Sequence, residues 1–500
     1  MASQDRPTSY WNATAPASSH PRLAGELEVD VAIVGGGIVG VTAARMLKDR
    51  GVSAAVVEAR RIGEEVTGKS TAKITSQHNI AYTVIERKFG EEGAQCYADA
   101  NQAGVATIAA LAERFAIDCN LERKAAFTYT NDEEQVSRIE QEVELARNLG
   151  LPATLTRDTG LPFEVLAAMR WDDQAQFHPV KYVKGLAATL PGEGCHVFEN
   201  SRVTDWDPRR IATEGGTIRA RHVLMATHLP LGQTGLFYAE AYPHIHPVMM
   251  GRAEAARVPD GMYINVETPH FSVRGHRDDQ GQDWLIFAGT SFKGGHVEEE
   301  RKSFADLERF AADHFGVRPD YRWTNEDYTS MDHVPFVGWS SGTSGSYLVA
   351  TGFNAWGISN GTAAAMLIAD LVTDRDNPWA DLYDAARIKP IAGGKEFLTE
   401  NAQVAAHLIG GYLSRKLHDF AELGPGEAAI LKVDGHNVAG FRDEDGALHA
   451  VSAVCTHMGC LVGWNETDRT WDCPCHGSRF ALDGGVIHGP AVADLARKGP

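Results

Sequence analysis

The sequence predicts an α/β domain with an inserted antiparallel sheet (α+β), followed by a small all-β domain. Three observations lead to this prediction. An apolar run at 31–34 ends in a glycine-rich turn and a helical pattern, alternating apolar and polar stretches fill the middle of the chain, and short strands with Asp-Gly turns fill the last eighty residues. Because 500 residues exceed what one hydrophobic core usually serves, we expect more than one domain.

The first element is a strand, a turn and a helix in "VDVAIVGGGIVGVTAARMLKDRG". Its glycines have the G-x-G-x-x-G spacing, which lets backbone approach a pyrophosphate at a helix N-terminus. A second apolar run, "AAVVE", ends in an acid that can accept ribose hydroxyls. This context predicts a Rossmann-type dinucleotide site, with candidate contacts at Gly35, Gly37, Ile38, Val39, Gly40, Glu58, Ala59 and Arg60.

Composition limits the classes of function. A hydrophobic share of 43% with 23% charged residues is ordinary for a globular protein. The net charge of -19 argues against a nucleic-acid surface and against a polybasic membrane patch. The N-terminus lacks the pattern of a signal peptide, and no apolar run is long enough to span a membrane. We therefore expect a cytoplasmic protein without a membrane span or a nucleic-acid partner.

Four motifs in order carry a resemblance to a family of flavoenzymes. They are the glycine motif with its acid, "HPVKYVKGLA" at 178–187, "VLMATHLP" at 223–230, and the late pair "DHVPFVG" and "GFNAWGISNG". Over residues 28–385 the chain resembles the D-amino-acid oxidase-like enzymes, which include sarcosine and glycine oxidases. The resemblance implies FAD as the cofactor and a discontinuous FAD-binding domain into which a sheet-rich substrate domain is inserted.

The same resemblance implies individual contacts to the cofactor. Val203 would meet the adenine through its backbone, and Thr227 would lie near the ribitol or pyrophosphate. The loop after the second strand and the late glycine turn would reach the flavin ring. The residues so implied are Ser70, Thr71, Ala72, Lys73, Val203, Ala226, Thr227, Gly352, Phe353, Gly357, Ile358 and Ser359, and the catalytic candidates on the loop are Lys73 and His78.

Departures from the family pattern refine these expectations. No cysteine precedes the late aspartate motif, so we expect non-covalent FAD. Ser359 stands where relatives that act on sarcosine carry a basic residue for the substrate carboxylate, which makes a small N-methyl amino acid a less certain substrate. No second G-x-G-x-x-G unit lies between 60 and 350, so electrons are expected from an organic substrate and not from a nicotinamide.

A connecting helix is predicted at 386–420, before a separate domain at 421–500. Apolar positions recur at three- and four-residue spacing, as expected for a helix that packs on a domain face. The alternative is a membrane-surface helix, which the few basic residues disfavour.

The last domain contains two cysteine- and histidine-rich loops, "VCTHMGC" and "WDCPCHGSRF". Cys455-x-His457 and, after fifteen intervening residues, Cys473-x-x-His476 offer two sulfur and two nitrogen ligands, which a zinc ion could take. Two features disfavour zinc. Each loop carries a further cysteine that a four-ligand site does not need, and the glycine and serine of "HGSRF" leave donors for cluster sulfides.

These loops resemble the Rieske domains of cytochrome bc complexes. The resemblance implies a 2Fe-2S cluster with Cys455 and Cys473 on one iron and His457 and His476 on the other. It also implies a disulfide between Cys460 and Cys475 and a proline loop at 489–491. Ser478 can donate to a cluster sulfur. Since Phe480 stands where the high-potential proteins have a tyrosine, we expect a lower potential.

The combined motifs predict a dehydrogenase. FAD would oxidise a C–N bond of an amine or amino-acid derivative, and electrons would pass to the cluster and then to a soluble redox partner. One alternative is a reductase that supplies a partner oxygenase. Another is a peroxide-forming oxidase with a redox-sensing Rieske domain. A Rieske oxygenase would need a separate 2-His-1-carboxylate iron site, and the flavin motifs occupy that part of the chain.

Overall fold

The computed structural model describes residues 7–232, 235, 237–340, 347–387 and 419–498. The predicted connecting helix at 386–420 lies, apart from its ends, outside the described residues. Among the described residues none of the helices is long and apolar enough to cross a membrane.

The helices of the described chain belong to the first domain. They are α1 (Tyr10–Thr14), α2 (Ile38–Asp49), α3 (Val66–Lys69), α4 (Tyr82–Arg114), α5 (Glu133–Asn148), α6 (Pro179–Ala188), α7 (Phe237–Glu240), α8 (Val297–Phe315), α9 (Ser359–Val372) and α10 (Ala380–Tyr383). Two short 3-10 helices cover Ala255–Arg257 and Phe420–Glu422.

The strands divide among four sheets. In chain order they are β1 (Gly25–Val34), β2 (Ala54–Val57), β3 (Lys73–Ile74), β4 (Glu122–Thr130), β5 (Ala153–Thr156), β6 (Ala167–Gln176), β7 (His196–Phe198), β8 (Val203–Asp207), β9 (Arg210–Thr213), β10 (Gly216–Met225), β11 (Ala241–Arg252), β12 (Met262–Asn265), β13 (Phe271–Arg277), β14 (Asp283–Gly289), β15 (Tyr321–Ser330), β16 (Phe336–Trp339), β17 (Tyr347–Thr351), β18 (Ala428–Val433), β19 (His436–Arg442), β20 (Leu448–Ser452), β21 (Gly463–Asn465), β22 (Thr470–Asp472), β23 (Arg479–Phe480) and β24 (Val486–His488).

The nucleotide-binding sheet has the order β16-β17-β10-β1-β2-β7, with β8 and β9 attached to β10. Pairs among β17, β10, β1, β2 and β7 are parallel, and β16 is antiparallel to β17. The strands of this parallel set lie far apart in sequence, at 25–57, 196–225 and 347–351. The predicted α/β class is therefore confirmed.

A second sheet of nine strands forms the inserted part, in the order β15-β11-β14-β13-β12-β4-β6-β3, with β5 on β6. Its pairs are antiparallel except for β12 with β4. The alternating stretches of the sequence form β12, β13 and β14, in which consecutive residues are buried, so both faces of these strands are covered. The C-terminal domain is all-β, with sheets β18-β19-β20 and β21-β22-β23-β24.

The sequence predicts that the first domain begins at residue 28, but the packed structure begins earlier, with α1. Tyr10 and Trp11 of α1 are 3% and 0% exposed. The Trp11 indole N–H donates to the backbone oxygen of Ser70, 2.9 Å away, in the loop after β2. This short N-terminal helix therefore supports the loop that the sequence assigns to the flavin.

Candidate FAD site and cluster-binding loops

The glycine turn after β1 has close backbone contacts that only glycine permits. Gly35 has a φ of +112° and its α-carbon lies against the backbone of Ala226, where a β-carbon would come within 2.4 Å of the carbonyl oxygen. A β-carbon on Gly40 would lie 2.0 Å from the carbonyl oxygen of Gly35. Gly37 caps the N-terminus of α2. The turn can thus present amide donors to a phosphate at the start of a helix.

Glu58 holds the glycine turn as well as facing the cavity. Its carboxylate accepts from the amide N–H of Gly36 at 2.8 Å and from that of Arg60 at 2.8 Å. Burial raises the pKa of Glu58, and these two amide donors oppose the rise. Each carboxylate oxygen retains a further lone pair that can accept a ribose hydroxyl.

A cavity of about 430 Å³, in the size range of small-molecule sites, runs from this turn into the inserted sheet. Most of the candidate cofactor residues line it: Gly35, Gly37, Ile38, Val39, Glu58, Ala59, Ser70, Thr71, Ala72, Lys73, Val203, Ala226, Thr227, Phe353, Gly357, Ile358 and Ser359. Gly40, Arg60 and Gly352 do not. Gly40 packs under the turn, the Arg60 guanidinium pairs with Glu64 and Glu65, and Gly352 shapes the turn before Phe353 with a φ of +75°.

Lys73 lies at the end of the cavity formed by the inserted sheet. Its Nζ donates to the carbonyl oxygen of Tyr263 at 2.8 Å and to the Ser272 hydroxyl at 2.6 Å. Burial, together with the charge of Arg274, lowers the pKa of Lys73 to about 7. The side chain can therefore hold or release a proton near neutral pH. His246, His270 and Asn325 line the same region.

His78 lies behind the cavity wall and not on it. Its Nδ1 is 2.7 Å from the Tyr97 hydroxyl, and its Nε2 is 3.1 Å from the Ser359 hydroxyl. The imidazole stacks on the Trp356 ring at a centroid distance of 4.7 Å. Burial lowers the pKa of His78 to about 3, so the ring is neutral. In this position His78 supports Trp356 and Ser359, which do line the cavity.

The two cluster loops bring together the predicted sulfur ligands. A hydrogen bond with Cys473 lowers the pKa of the Cys455 thiol, to which the Ser478 hydroxyl also bonds. Both cysteines are buried. The other two form a disulfide, Cys460–Cys475, whose sulfurs lie within 4.8 Å of the Cys473 sulfur. Because disulfide sulfurs are not thiolates, Cys455 and Cys473 are left as the two sulfur donors.

The histidines of the loops have the protonation pattern of metal ligands. Nε2 of His457 lies 3.0 Å from the carbonyl oxygen of Gly232 and donates to it. Nδ1 of the same ring is buried and, within the described chain, has no hydrogen-bond partner. A hydrogen bond from Nε2 to a carbonyl oxygen fixes the tautomer of the ring and leaves Nδ1 free to bind a metal. The His476 ring lies 5.0 Å away, and burial lowers its pKa to about 4, which keeps it neutral. These donors fit a 2Fe-2S cluster.

One strand separates the cavity from the cluster loops. Successive side chains of a strand point to opposite faces. On β15, Asn325 and Asp327 line the cavity, whereas Thr324 and Tyr328 contact the C-terminal domain. The two predicted sites therefore share a wall one strand thick.

The contact between Tyr328 and the second cluster loop is close. The phenol, 0% exposed, donates to the carbonyl oxygen of His476 at 2.8 Å. At Gly477 a β-carbon would meet the Tyr328 hydroxyl at 2.3 Å and the Glu326 carboxyl at 2.0 Å. Only glycine lets the ligand loop approach this strand so closely.

A buried ionic cluster holds the two domains together. The Arg479 guanidinium donates to Asp468 at 3.0 Å, to Asp472 at 2.8 Å and to the Thr324 hydroxyl at 2.7 Å. Lys69 of the first domain pairs with Asp468 at 2.9 Å. The side chains of Arg479 and the two aspartates are each 2% exposed. The sequence gives no local sign of these pairs, since Lys69 and Asp468 are 399 residues apart.

Comparison with known proteins agrees with both sites. A model of the FAD dependent oxidoreductase family matches residues 30–371, and a Rieske [2Fe-2S] domain model matches residues 415–497. The chain is 33% identical over 497 residues to the provisionally named Rieske 2Fe-2S iron-sulfur protein YhfW of Bacillus subtilis, an alignment that covers 98% of this chain and 97% of that one.

Two further relatives resemble the first domain. Gamma-glutamylputrescine oxidoreductase of Escherichia coli is 24% identical over 406 residues, with coverage of 78% of this chain and 94% of that one. Glycine oxidase from Geobacillus kaustophilus has the same fold, with a TM-score of 0.60 and 19% identity over 73% of this chain and all of the other. This chain belongs to the FAD dependent oxidoreductase family and carries a Rieske domain at its C-terminal end.

Proposed function

We propose that this protein oxidises a C–N bond of an amine or amino-acid derivative with FAD and delivers the electrons through its Rieske cluster to a soluble external acceptor. When bound, FAD accepts a hydride equivalent and the cluster carries single electrons. The observation that carries the proposal is the shared wall at β15, which leaves one strand between the cavity and the His476 loop. The similarity to gamma-glutamylputrescine oxidoreductase, whose name states an amine derivative, supports the substrate class.

The residues of the cavity suit the binding of a neutral amine. Phe271 and Trp356 supply apolar lining, and Lys73 is hydrogen-bonded in place beside them. Above pH 7 the Lys73 amine is neutral and can accept a proton from a substrate ammonium group; below it, the amine is already protonated. His246 is neutral because burial lowers its pKa, and its Nδ1 donates to the carbonyl oxygen of Gly289 at 3.4 Å, so Nε2 remains to accept a hydrogen bond from the substrate.

Lys73 gives a prediction that needs no substrate. Protonation of an amine beside the flavin changes the local charge, so the absorption spectrum of the oxidised holoenzyme is expected to shift with an apparent pKa of about 7. The variant Lys73→Met should lose this transition. Lys124→Met, which alters a lysine on β4 that pairs with Asp260, should keep it. A wild-type spectrum that stays constant across about two pH units on either side of neutrality would contradict the assignment.

Anaerobic titration tests the proposed function. The purified holoenzyme is mixed with amines, with N-methyl and other amino acids, and with NADH and NADPH, while flavin absorbance and the EPR signal of the reduced cluster are recorded. We expect an amine or amino-acid derivative to bleach the flavin and the cluster signal to follow. The variant Cys473→Ser should show bleaching alone. Reduction by NADH or NADPH only would replace the proposal by a reductase. Rapid peroxide formation in air that is unaffected by loss of the cluster would indicate an oxidase.

A further inference from the structure

A segment of the Rieske domain forms part of the FAD cavity. The segment consists of the end of β24, the proline loop at 489–491 and the residue after it. Its cavity-lining residues are Ile487, His488, Gly489, Ala491 and Val492. Residues of the first domain line the same cavity, among them Arg202, Val203 and Leu231. The cavity is therefore closed by both domains together.

The segment is fixed on both sides by backbone hydrogen bonds. Toward the cluster, the amide of Ala491 donates to the Ser478 hydroxyl at 3.0 Å. Toward the first domain, the amide of Gly232 donates to the carbonyl oxygen of Pro490 at 2.9 Å. The Arg202 guanidinium donates to the carbonyl oxygen of Val486. These contacts hold the segment against the cavity at a defined position.

Two imidazoles, one from each domain, lie at this wall with unused ring nitrogens. The rings of His228 and His488 are 5.4 Å apart, and both line the cavity. Nδ1 of His228 and Nε2 of His488 are buried, and neither has a hydrogen-bond partner in the part of the chain that the structure describes. A buried polar atom without a partner costs about 1–3 kcal/mol. Two such atoms at one cavity wall point to a ligand that pairs with them.

The position of the two rings indicates which ligand. His228 directly follows Ala226 and Thr227 in the loop after β10, at the same edge of the parallel sheet as the glycine turn. When FAD is bound, this edge would face its pyrophosphate and ribityl chain, which are rich in oxygen. Nε2 of His228 lies 3.3 Å from the Asp327 carboxylate and donates to it, so Nδ1 of a neutral His228 can only accept, whereas Nε2 of a neutral His488 can donate to such an oxygen. We infer that the Rieske domain completes the FAD site: residues 487–492 form one wall, and His488, beside His228, donates a hydrogen bond to an oxygen of the FAD.

Replacement of His488 tests the inference. FAD is removed from His488→Ala and titrated back while the quenching of FAD fluorescence is followed. Loss of one charge-assisted or buried hydrogen bond is expected to raise the Kd for FAD roughly tenfold. His488→Gln, which keeps a side-chain donor, should recover part of the affinity. His436→Ala, an exposed histidine at the start of β19, should bind FAD as the wild type does. A Kd for His488→Ala within twofold of the wild type, with an intact cluster EPR signal, would overturn the inference.

A second measurement uses the unaltered protein, in case the variant fails to fold. Amide hydrogen exchange is compared between the wild type with and without FAD, its cluster present in both. The inference predicts slower exchange at 487–492 on addition of FAD, and unchanged exchange in β18 and β19, which lie away from the cavity. Equal exchange at 487–492 in both forms would refute it. Neither test uses a substrate or electron transfer, so their outcome is independent of the proposed function.

Discussion

Replacement of Arg479 by alanine is expected to destabilise the Rieske domain and its contact with the flavin domain by about 3–5 kcal/mol. The guanidinium is buried and donates to Asp468, Asp472 and Thr324. Its removal leaves Asp472 without a cation, while Asp468 keeps Lys69. The penalty comes from uncompensated buried charge, because Asp472 would keep hydrogen bonds from Asn465 and Thr470 but would have no cation beside it.

Thermal unfolding followed by circular dichroism and by loss of the cluster absorbance measures this effect. The matched control is Arg497→Ala, which removes a guanidinium from the same domain whose side chain is 76% exposed and pairs with Asp483. An exposed pair contributes about 0–1 kcal/mol, so this variant should unfold almost as the wild type does. Equal stability of the two variants would show that the ionic cluster does not hold the domains together.

Replacement of Cys473 by serine is expected to abolish the EPR signal of the reduced cluster completely, while the flavin absorbance remains. Cys473 and Cys455 are the two thiols left as donors once Cys460 and Cys475 are joined. A single sulfur cannot complete the sulfur-bound iron, because that iron takes two thiolates from the protein.

The control for this experiment is Cys96→Ser, a free and partly exposed cysteine on α4. It should retain the full EPR signal and the iron content of the wild type. Persistence of the signal in Cys473→Ser would contradict the ligand assignment. Zinc in place of iron in the wild type, found by metal analysis, would return the site to the alternative that the spacing of the loops also permits.

The motifs that predicted FAD and the 2Fe-2S cluster are local, which is why the sequence alone could indicate both cofactors. The glycine turn needs its residues at fixed spacing because the backbone of Gly35 lies against Ala226. The cluster loops contain all four candidate ligands within twenty-two residues, from Cys455 to His476. The short alternating runs that form β12 to β14 are likewise local in sequence, although both faces of these strands are buried.

The relation between the sites depends on contacts that are distant in sequence. The pair formed by Lys69 and Asp468 joins positions 399 residues apart, and nothing near either residue predicts the other. The same holds for Tyr328 and His476, which are 148 residues apart. The alternation of Asn325, Asp327 and Tyr328 could have shown that β15 has two faces, but not what covers each.

The positions of two individual side chains also could not be predicted from the sequence patterns. His78 belongs to the predicted loop, yet its ring lies behind the cavity wall, where it contacts the hydroxyls of Tyr97 and Ser359. His488 lies outside the cluster motifs, so no local pattern marks it. Its position in the cavity wall results from the docking of the two domains. Side-chain direction and domain contacts are set by tertiary packing, which short motifs do not encode.

We expect electrons to pass within one chain from the flavin to the cluster. The most direct test reduces the flavin of the holoenzyme with a brief pulse from a photochemical donor and follows flavin and cluster absorbance at several protein concentrations. We expect the cluster to be reduced as the flavin is reoxidised, in a first-order process whose rate constant is independent of protein concentration. A rate that rises with protein concentration, or a cluster that stays oxidised, would contradict it.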